Sequence, residues 1–178
     1  MAAMDEPAAR EGETGPSDER GWDEFAPLYD EHHERLYRVA LLLCNGDTAL
    51  AEDAVAETFL RVFEQWKHDK VENFFPFARQ VLVQQVLGTY RDGRTAPRQA
   101  AGDQRGAGRH DPSITDASAT FQLLEQLAPE DRTAVVLRYF EDLSYDQIAS
   151  TMGVSSGSAK AQVAVGLQRM RSMMGEET

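Results

Sequence analysis

The sequence predicts an all-α fold: two small helical domains joined by a flexible linker, the second containing a helix-turn-helix. Three observations predict it. Apolar residues recur at helical spacing through residues 22–91 and 119–174, with no strand-like alternation. Residues 92–118 contain four Gly, two Pro and hardly any bulky apolar side chain, which is the composition of a linker. Residues 143–173 set Gly153 and Ser155 between two short apolar-periodic runs, as a tight turn between helices requires.

Residues 1–21 hold six acids and two Arg among Ala, Gly, Glu and Pro, and read as a disordered acidic tail. The first helical pattern runs from Trp22 to Cys44, with Phe25, Leu28, Tyr29, Leu36, Tyr37, Ala40 and Leu43 on one side; Asn45-Gly46-Asp47 stops it. The second runs from about Thr48 to Trp66, striped by Leu50, Ala54, Val55, Phe59, Val62, Phe63 and Trp66. The third begins near Pro76, with Phe77, Val81, Val86, Leu87 and Tyr90 apolar. After the linker, Phe121, Leu124, Leu127, Val135, Val136, Leu137, Tyr139 and Phe140 form the apolar set ahead of the helix-turn-helix.

In that motif a short helix carries Ile148, Ala149 and Met152. Gly153 supplies a turn with φ > 0 at little steric cost. Ser155 caps a second helix by accepting a bond from an otherwise orphan backbone N–H. The spacing buries Ala159, Val163, Gly166, Leu167 and Met170, and turns Ser158, Gln162, Val165 and Arg169 to the other face. A helix so presented can enter the DNA major groove. A helical hairpin with no DNA role fits the same spacing.

Composition narrows the class further. No apolar run reaches the roughly 18 residues of a membrane span, and the first residues lack the apolar stretch of a secretory signal. Cys44 has no partner for an internal disulfide, and reads as a small core residue of a protein kept in a reducing cytoplasm. His32, His33, His68 and His110 do not cluster at metal-ligand spacing. Adjacent helical residues point about 100° apart, so His32 and His33 read as solvated surface. No phosphate-binding Gly loop or nucleophile elbow is present, which disfavours an enzyme and implies neither cofactor nor metal. The net charge of −12 is unusual for a DNA binder, because phosphate neutralisation dominates DNA affinity. Within residues 143–178 the balance is even: Asp146, Glu176 and Glu177 against Lys160, Arg169 and Arg171. Such a chain binds DNA weakly alone, and is expected to borrow affinity from a larger partner.

Two segments together carry a family resemblance. Residues 51–66, AEDAVAETFLRVFEQW, resemble the core-binding segment of the extracytoplasmic-function (ECF) sigma factors of bacterial RNA polymerase, the group-four, sigma-70 type. The run LAPEDRTAVVLRYFEDLSYDQIA, within residues 124–171, resembles that family's second conserved domain. The resemblance implies a bacterial, cytoplasmic transcription initiation factor. Residues 22–91 would be a sigma region 2-like domain for core-polymerase binding and minus-ten recognition and melting. Residues 119–174 would be a sigma region 4-like domain for minus-thirty-five recognition. The partners implied are core RNA polymerase, through the clamp helices of the largest subunit and the flap of the second largest, promoter DNA, and an anti-sigma factor. A sigma-like regulator that keeps its protein contacts, reads promoters poorly and acts with another factor is the alternative.

The resemblance also assigns residues. Glu52, Asp53, Glu57, Phe59 and Arg61 would contact core polymerase, as apolar anchors within a charged rim suit such an interface. Phe74, Phe75, Arg79, Gln84, Gln85, Tyr90, Arg91 and Arg94 would serve the minus-ten element, where unstacked bases need aromatic platforms and the strand needs cations. Ser155, Ser156, Ser158, Lys160, Gln162 and Arg169 would face the minus-thirty-five duplex. The chain departs from the family pattern in both DNA-facing segments. Gln84 stands where Asn is usual and Gly88 where Asp is frequent. Gln162 and Val165 stand where cations are common.

Overall fold

The computed structural model describes residues 16–68, 71–93 and 115–175; the start of the acidic tail and most of the linker lie outside them. Among these residues every regular element is helical: α1 Pro16–Leu43, α2 Thr48–His68, α3 Phe74–Arg91, α4 Thr115–Glu125, α5 Pro129–Tyr139, α6 Tyr145–Met152 and α7 Ser156–Met173. None is long and apolar enough to cross a membrane.

Helices α1, α2 and α3 form the first bundle. The α1 helix begins at Pro16, earlier than the apolar periodicity shows, because Ser17-Asp18-Glu19-Arg20 contains no apolar residue to mark a helical period. Proline suits a first helical position, where its missing N–H would be an orphan anyway. Pro27 sits inside α1 on the solvent side, so the carbonyl it leaves unbonded, on exposed Asp23, meets water. The Asn45-Gly46-Asp47 stop is a left-handed turn, with Asn45 at φ 57° and Gly46 at φ 77°. Asp47 then accepts the Leu50 N–H at 3.0 Å and opens α2.

Aromatic packing holds this bundle. Phe25 is fully buried, and its ring meets Phe59, Phe63, Trp66 and Phe74 edge-on, with centroids at 4.9–6.3 Å. His32 and His33 are packed rather than solvated. His32 stacks on Phe74 at 5.2 Å, and His33 stacks on Phe59 and Tyr37. Both histidines fall on α1's inner half because the cluster of large rings is wide enough to reach them. Among the described residues no group of His, Cys, Asp and Glu is placed to hold a metal.

The second bundle is α4–α7, with α7 laid along α5. Gly166 makes that approach possible, because a Cβ there would sit 2.6 Å from Val135 Cγ2 and 3.3 Å from the Asp131 carbonyl. The Gly153 turn and the Ser155 cap of the helix-turn-helix are as the residues predict. Ser144 and Gln147 form a reciprocal capping box on α6. Gly153 ends α6 at φ 71°, and Ser155 accepts the Ser158 N–H at 3.1 Å. Ile148, Ala149, Met152, Ala159, Val163 and Gly166 are buried, while Leu167 and Met170 are half-buried. Tyr139 and Phe140, counted by periodicity with the apolar set, are more than half exposed at the end of α5.

The two bundles are in contact. Helix α5 lies against α1 and α3, and α6 lies against α3. Arg132 of α5 is buried at the seam. Its Nε and Nη2 donate to the Leu124 and Leu127 carbonyls at 3.0 and 3.2 Å. Its Nη1 crosses to the Leu43 carbonyl at 3.1 Å and the Tyr90 hydroxyl at 3.3 Å. Phe121 of α4 covers the Gly46 turn, its ring 3.5 Å from where a Cβ would stand.

Cys44 is buried beside this seam. Burial, with a smaller contribution from Asp47, pushes its thiol up to about 12 from 9.0. The neutral thiol is therefore favoured in the fold, and that stability is complete below the unfolded thiol's pKa. Folding stability is expected to fall as pH rises from about 9 towards about 12. Cys44→Ala should flatten that alkaline limb in denaturant titrations; an unchanged limb would assign it to other groups.

Candidate nucleic-acid interface and partner-binding face

The first half of α7 is the open face of the helix-turn-helix. Ser155, Ser156, Ser158 and Lys160 are exposed, and α7 carries no acid. Ser155 and Ser158 share a hydroxyl–hydroxyl bond of 2.8 Å, and Ser156 donates to Asp146 at 2.6 Å. Backbone N–H groups and hydroxyls at a helix start suit a phosphate oxygen. Gln162 is half-buried, and its side-chain carbonyl oxygen is buried without a partner. Val165 is half-exposed on the same helix. Arg169 is exposed further along, near Asp131, whose carboxyl is raised by burial and by Glu130.

The residues assigned to the minus-ten element lie along α3, in different surroundings. Phe74 and Phe75 are 7% exposed and belong to the first bundle's core. Gln84 is exposed; Gln85 is half-buried and accepts from Thr58 Oγ1 at 3.3 Å. Arg79 is buried, its Nη1 on Glu141 Oε2 at 2.7 Å. Tyr90 is held by Arg132, and exposed Arg91 stands 3.9 Å from Glu130. Arg94 lies outside the described residues. Gly88, where an acid is frequent in the resembled family, faces open space. No Cβ is excluded there, so its loss of helix propensity is not offset by packing.

The outward face of α2 holds the third group. Glu52 and Asp53 are exposed, and Glu57 accepts from Arg61 Nε at 2.8 Å. Phe59 is in the aromatic core and braces the helix from beneath. The apolar group on the surface is Leu60, 63% exposed, in an open groove with Glu57, Arg61, Glu64, Gln65 and His68. Periodicity could have found Leu60, since it falls off the buried stripe of Ala51, Ala54, Val55, Thr58, Phe59 and Val62. Glu141 and Arg132 were missed for another reason: their partners are far away in sequence.

Two sequence families match these bundles. Residues 28–95 match "Sigma-70 region 2", and residues 119–170 match "Sigma-70, region 4". The chain is 32% identical over 161 residues to the ECF RNA polymerase sigma factor SigL of Mycobacterium tuberculosis, covering 81% of this chain and 85% of that one. This chain belongs to the ECF sigma factors. It is 30% identical over 165 residues to SigE of Mycolicibacterium smegmatis, covering 88% of this chain and 63% of that longer relative. Its fold matches the sigma factor RpoE of Bartonella quintana, solved with the anti-sigma factor NepR, at a TM-score of 0.65 and 18% identity, covering 88% of this chain and 99% of that one. As an ECF sigma factor it is a transcription initiation factor, not an enzyme. It binds core RNA polymerase and directs promoter-specific transcription.

Proposed function

We propose that the work of initiation is divided between the bundles as follows. The α2 face, with Glu52, Asp53, Glu57 and Arg61 around Leu60, docks on the polymerase clamp helices. Gln84, Gln85, Arg79, Tyr90 and Arg91 of α3, together with Arg94, serve the minus-ten element, with Phe74 and Phe75 bracing the helix. The start of α7 enters the minus-thirty-five major groove, and the second bundle meets the polymerase flap. The cytoplasm, where polymerase acts, is the site of this work. NepR on the similarly folded RpoE motivates a search for an anti-sigma factor of this chain.

The observation that carries the reading is the exposed start of α7, a helix with no acid of its own, where Ser155, Ser156, Ser158 and Lys160 all face solvent and the nearby carboxylate of Asp146 is bonded to Ser156. Gln162 supports it as well. A buried acceptor without a partner costs about 1–3 kcal/mol, so turning this amide outward to a base is favoured. Lys160→Ala should weaken binding of reconstituted holoenzyme to all promoters alike and lower the salt slope by about one. Gln162→Ala should cost roughly 1–3 kcal/mol at one minus-thirty-five base pair only. Equal affinities and an unchanged base preference in both variants would remove α7 from the interface.

A further inference from the structure

We propose that Gln85 tells a keto base from an amino base at one minus-ten position, and that buried Thr58 and bare Gly88 fit it for that task. The inference rests on assigning α3 to the minus-ten element. It goes further by committing to one side chain and one sign of hydrogen bond.

Thr58 of α2 is fully buried beneath α3. Its hydroxyl proton is shared between the Ala54 carbonyl at 2.7 Å and Gln85 Oε1 at 3.3 Å. Gln85 is half-buried and tied at its tip, so its amide is held with Oε1 inward. Nε2 is the other end; it has no partner among the described bonds and is not buried, so it meets solvent. Gln84 beside it is exposed and has no such tether among the described bonds, so either end of its amide can turn to a ligand.

Gly88 uncovers this amide. A helical side chain lies over the turn N-terminal to its own Cα, so a side chain at position 88 would cover Gln84 and Gln85. Nothing stands within 4 Å of where its Cβ would be. Almost any other residue would strengthen the helix there. The bare backbone instead leaves a notch beside Gln85. Half-buried Val81, one turn earlier on the same face, offers apolar ground for the ring of a base.

A freely turning amide reads both signs of hydrogen bond. Held by its oxygen, Gln85 offers only N–H donors. Thymine and guanine carry a keto oxygen where cytosine and adenine carry an amino group. The donor bonds to the first pair and opposes another donor in the second. An unstacked strand exposes that edge of each base. The position facing Gln85 is therefore read as thymine over cytosine, or guanine over adenine.

The test uses reconstituted holoenzyme and a promoter fragment that the wild type transcribes. The fragment is randomised across its minus-ten element and barcoded within the transcribed region. At one position the wild type should prefer a keto base over its amino counterpart by about fivefold or more. Thr58→Val keeps the shape and removes the hydroxyl. It should lower that preference to about twofold or less, while co-elution with core polymerase and the thermal midpoint move little. Thr58→Ser returns the hydroxyl and should restore the preference. Gln85→Glu turns an oxygen outward and should shift the preference towards the amino base. Gly88→Leu should raise the thermal midpoint and yet lower transcription from the whole pool; a glycine with no part in the site would give a more stable and equally active protein. A wild-type preference for the amino base there would overturn the orientation of the amide. A preference altered by Gln85→Ala but untouched by Thr58→Val overturns the tether and leaves α3 at the minus-ten element. Wild-type preferences at every position in Gln85→Ala would remove Gln85 from that element altogether.

Discussion

Arg132→Met is expected to lower the stability of the protein by roughly 1–3 kcal/mol, the cost of leaving a buried carbonyl without its donor. The guanidinium serves three carbonyls and one hydroxyl through three nitrogens. The Leu124 carbonyl keeps the Leu127 N–H at 3.1 Å, and the Leu43 carbonyl keeps the Tyr90 hydroxyl at 3.5 Å. Among the bonds described for these carbonyls, the one at Leu127 is not replaced. Methionine fills the volume, so the loss reports hydrogen bonding rather than a cavity. Arg132→Lys should rescue little, since a single ammonium cannot reach carbonyls arranged around a planar fork. Denaturant unfolding followed in both bundles reads the result. The wild type should unfold in one transition. The variant should show the second bundle unfolding first, as the bonds to Leu43 and Tyr90 go with those to Leu124 and Leu127. A midpoint shift of less than about 0.5 kcal/mol, the level of an ordinary surface change, would contradict this account of the seam.

Glu57→Lys should abolish co-elution with core polymerase while leaving the fold intact. Within the helix the change replaces the Glu57–Arg61 pair by two cations, a penalty of about 0.2–0.5 kcal/mol. At a desolvated interface the same reversal meets a complementary surface and costs several kcal/mol. The two magnitudes separate the outcomes. Thermal unfolding should barely move, while polymerase affinity should fall by about a hundredfold or more. Leu60→Ser, which removes the exposed apolar group beside Glu57, should weaken the complex in the same direction. Wild-type affinity in both variants would move the docking face away from this side of α2.

Much of the fold was legible because its signals are local. Gly153 at positive φ and the Ser155 cap are short-range chemistry, and they set the turn of the helix-turn-helix without reference to the rest of the chain. The Asn45-Gly46 stop is of the same kind. Periodicity located the α2 stripe. It could not tell Phe74 and Phe75 as core from Phe74 and Phe75 as base platforms, since both uses ask for an aromatic at the same helical position. It also counted Tyr139 and Phe140 inward, though the α5 helix ends at Tyr139 and the chain there turns them outward. The beginning of α4 at Thr115 falls inside the linker-like stretch, because composition marks a linker and not where the next helix starts. The least legible feature was the seam. Arg79 and Glu141 lie 62 residues apart, and Arg132 and Leu43 lie 89 apart. No local pattern pairs a cation in one bundle with a carboxylate or a carbonyl in the other.

The most direct measurement is run-off transcription by core RNA polymerase reconstituted with the full chain on a library of genomic fragments. The account predicts discrete transcripts that depend on the chain. Their promoters should share a minus-thirty-five element, and one base pair of it should change preference in Gln162→Ala. Firm binding to core polymerase without transcription from any fragment would contradict it.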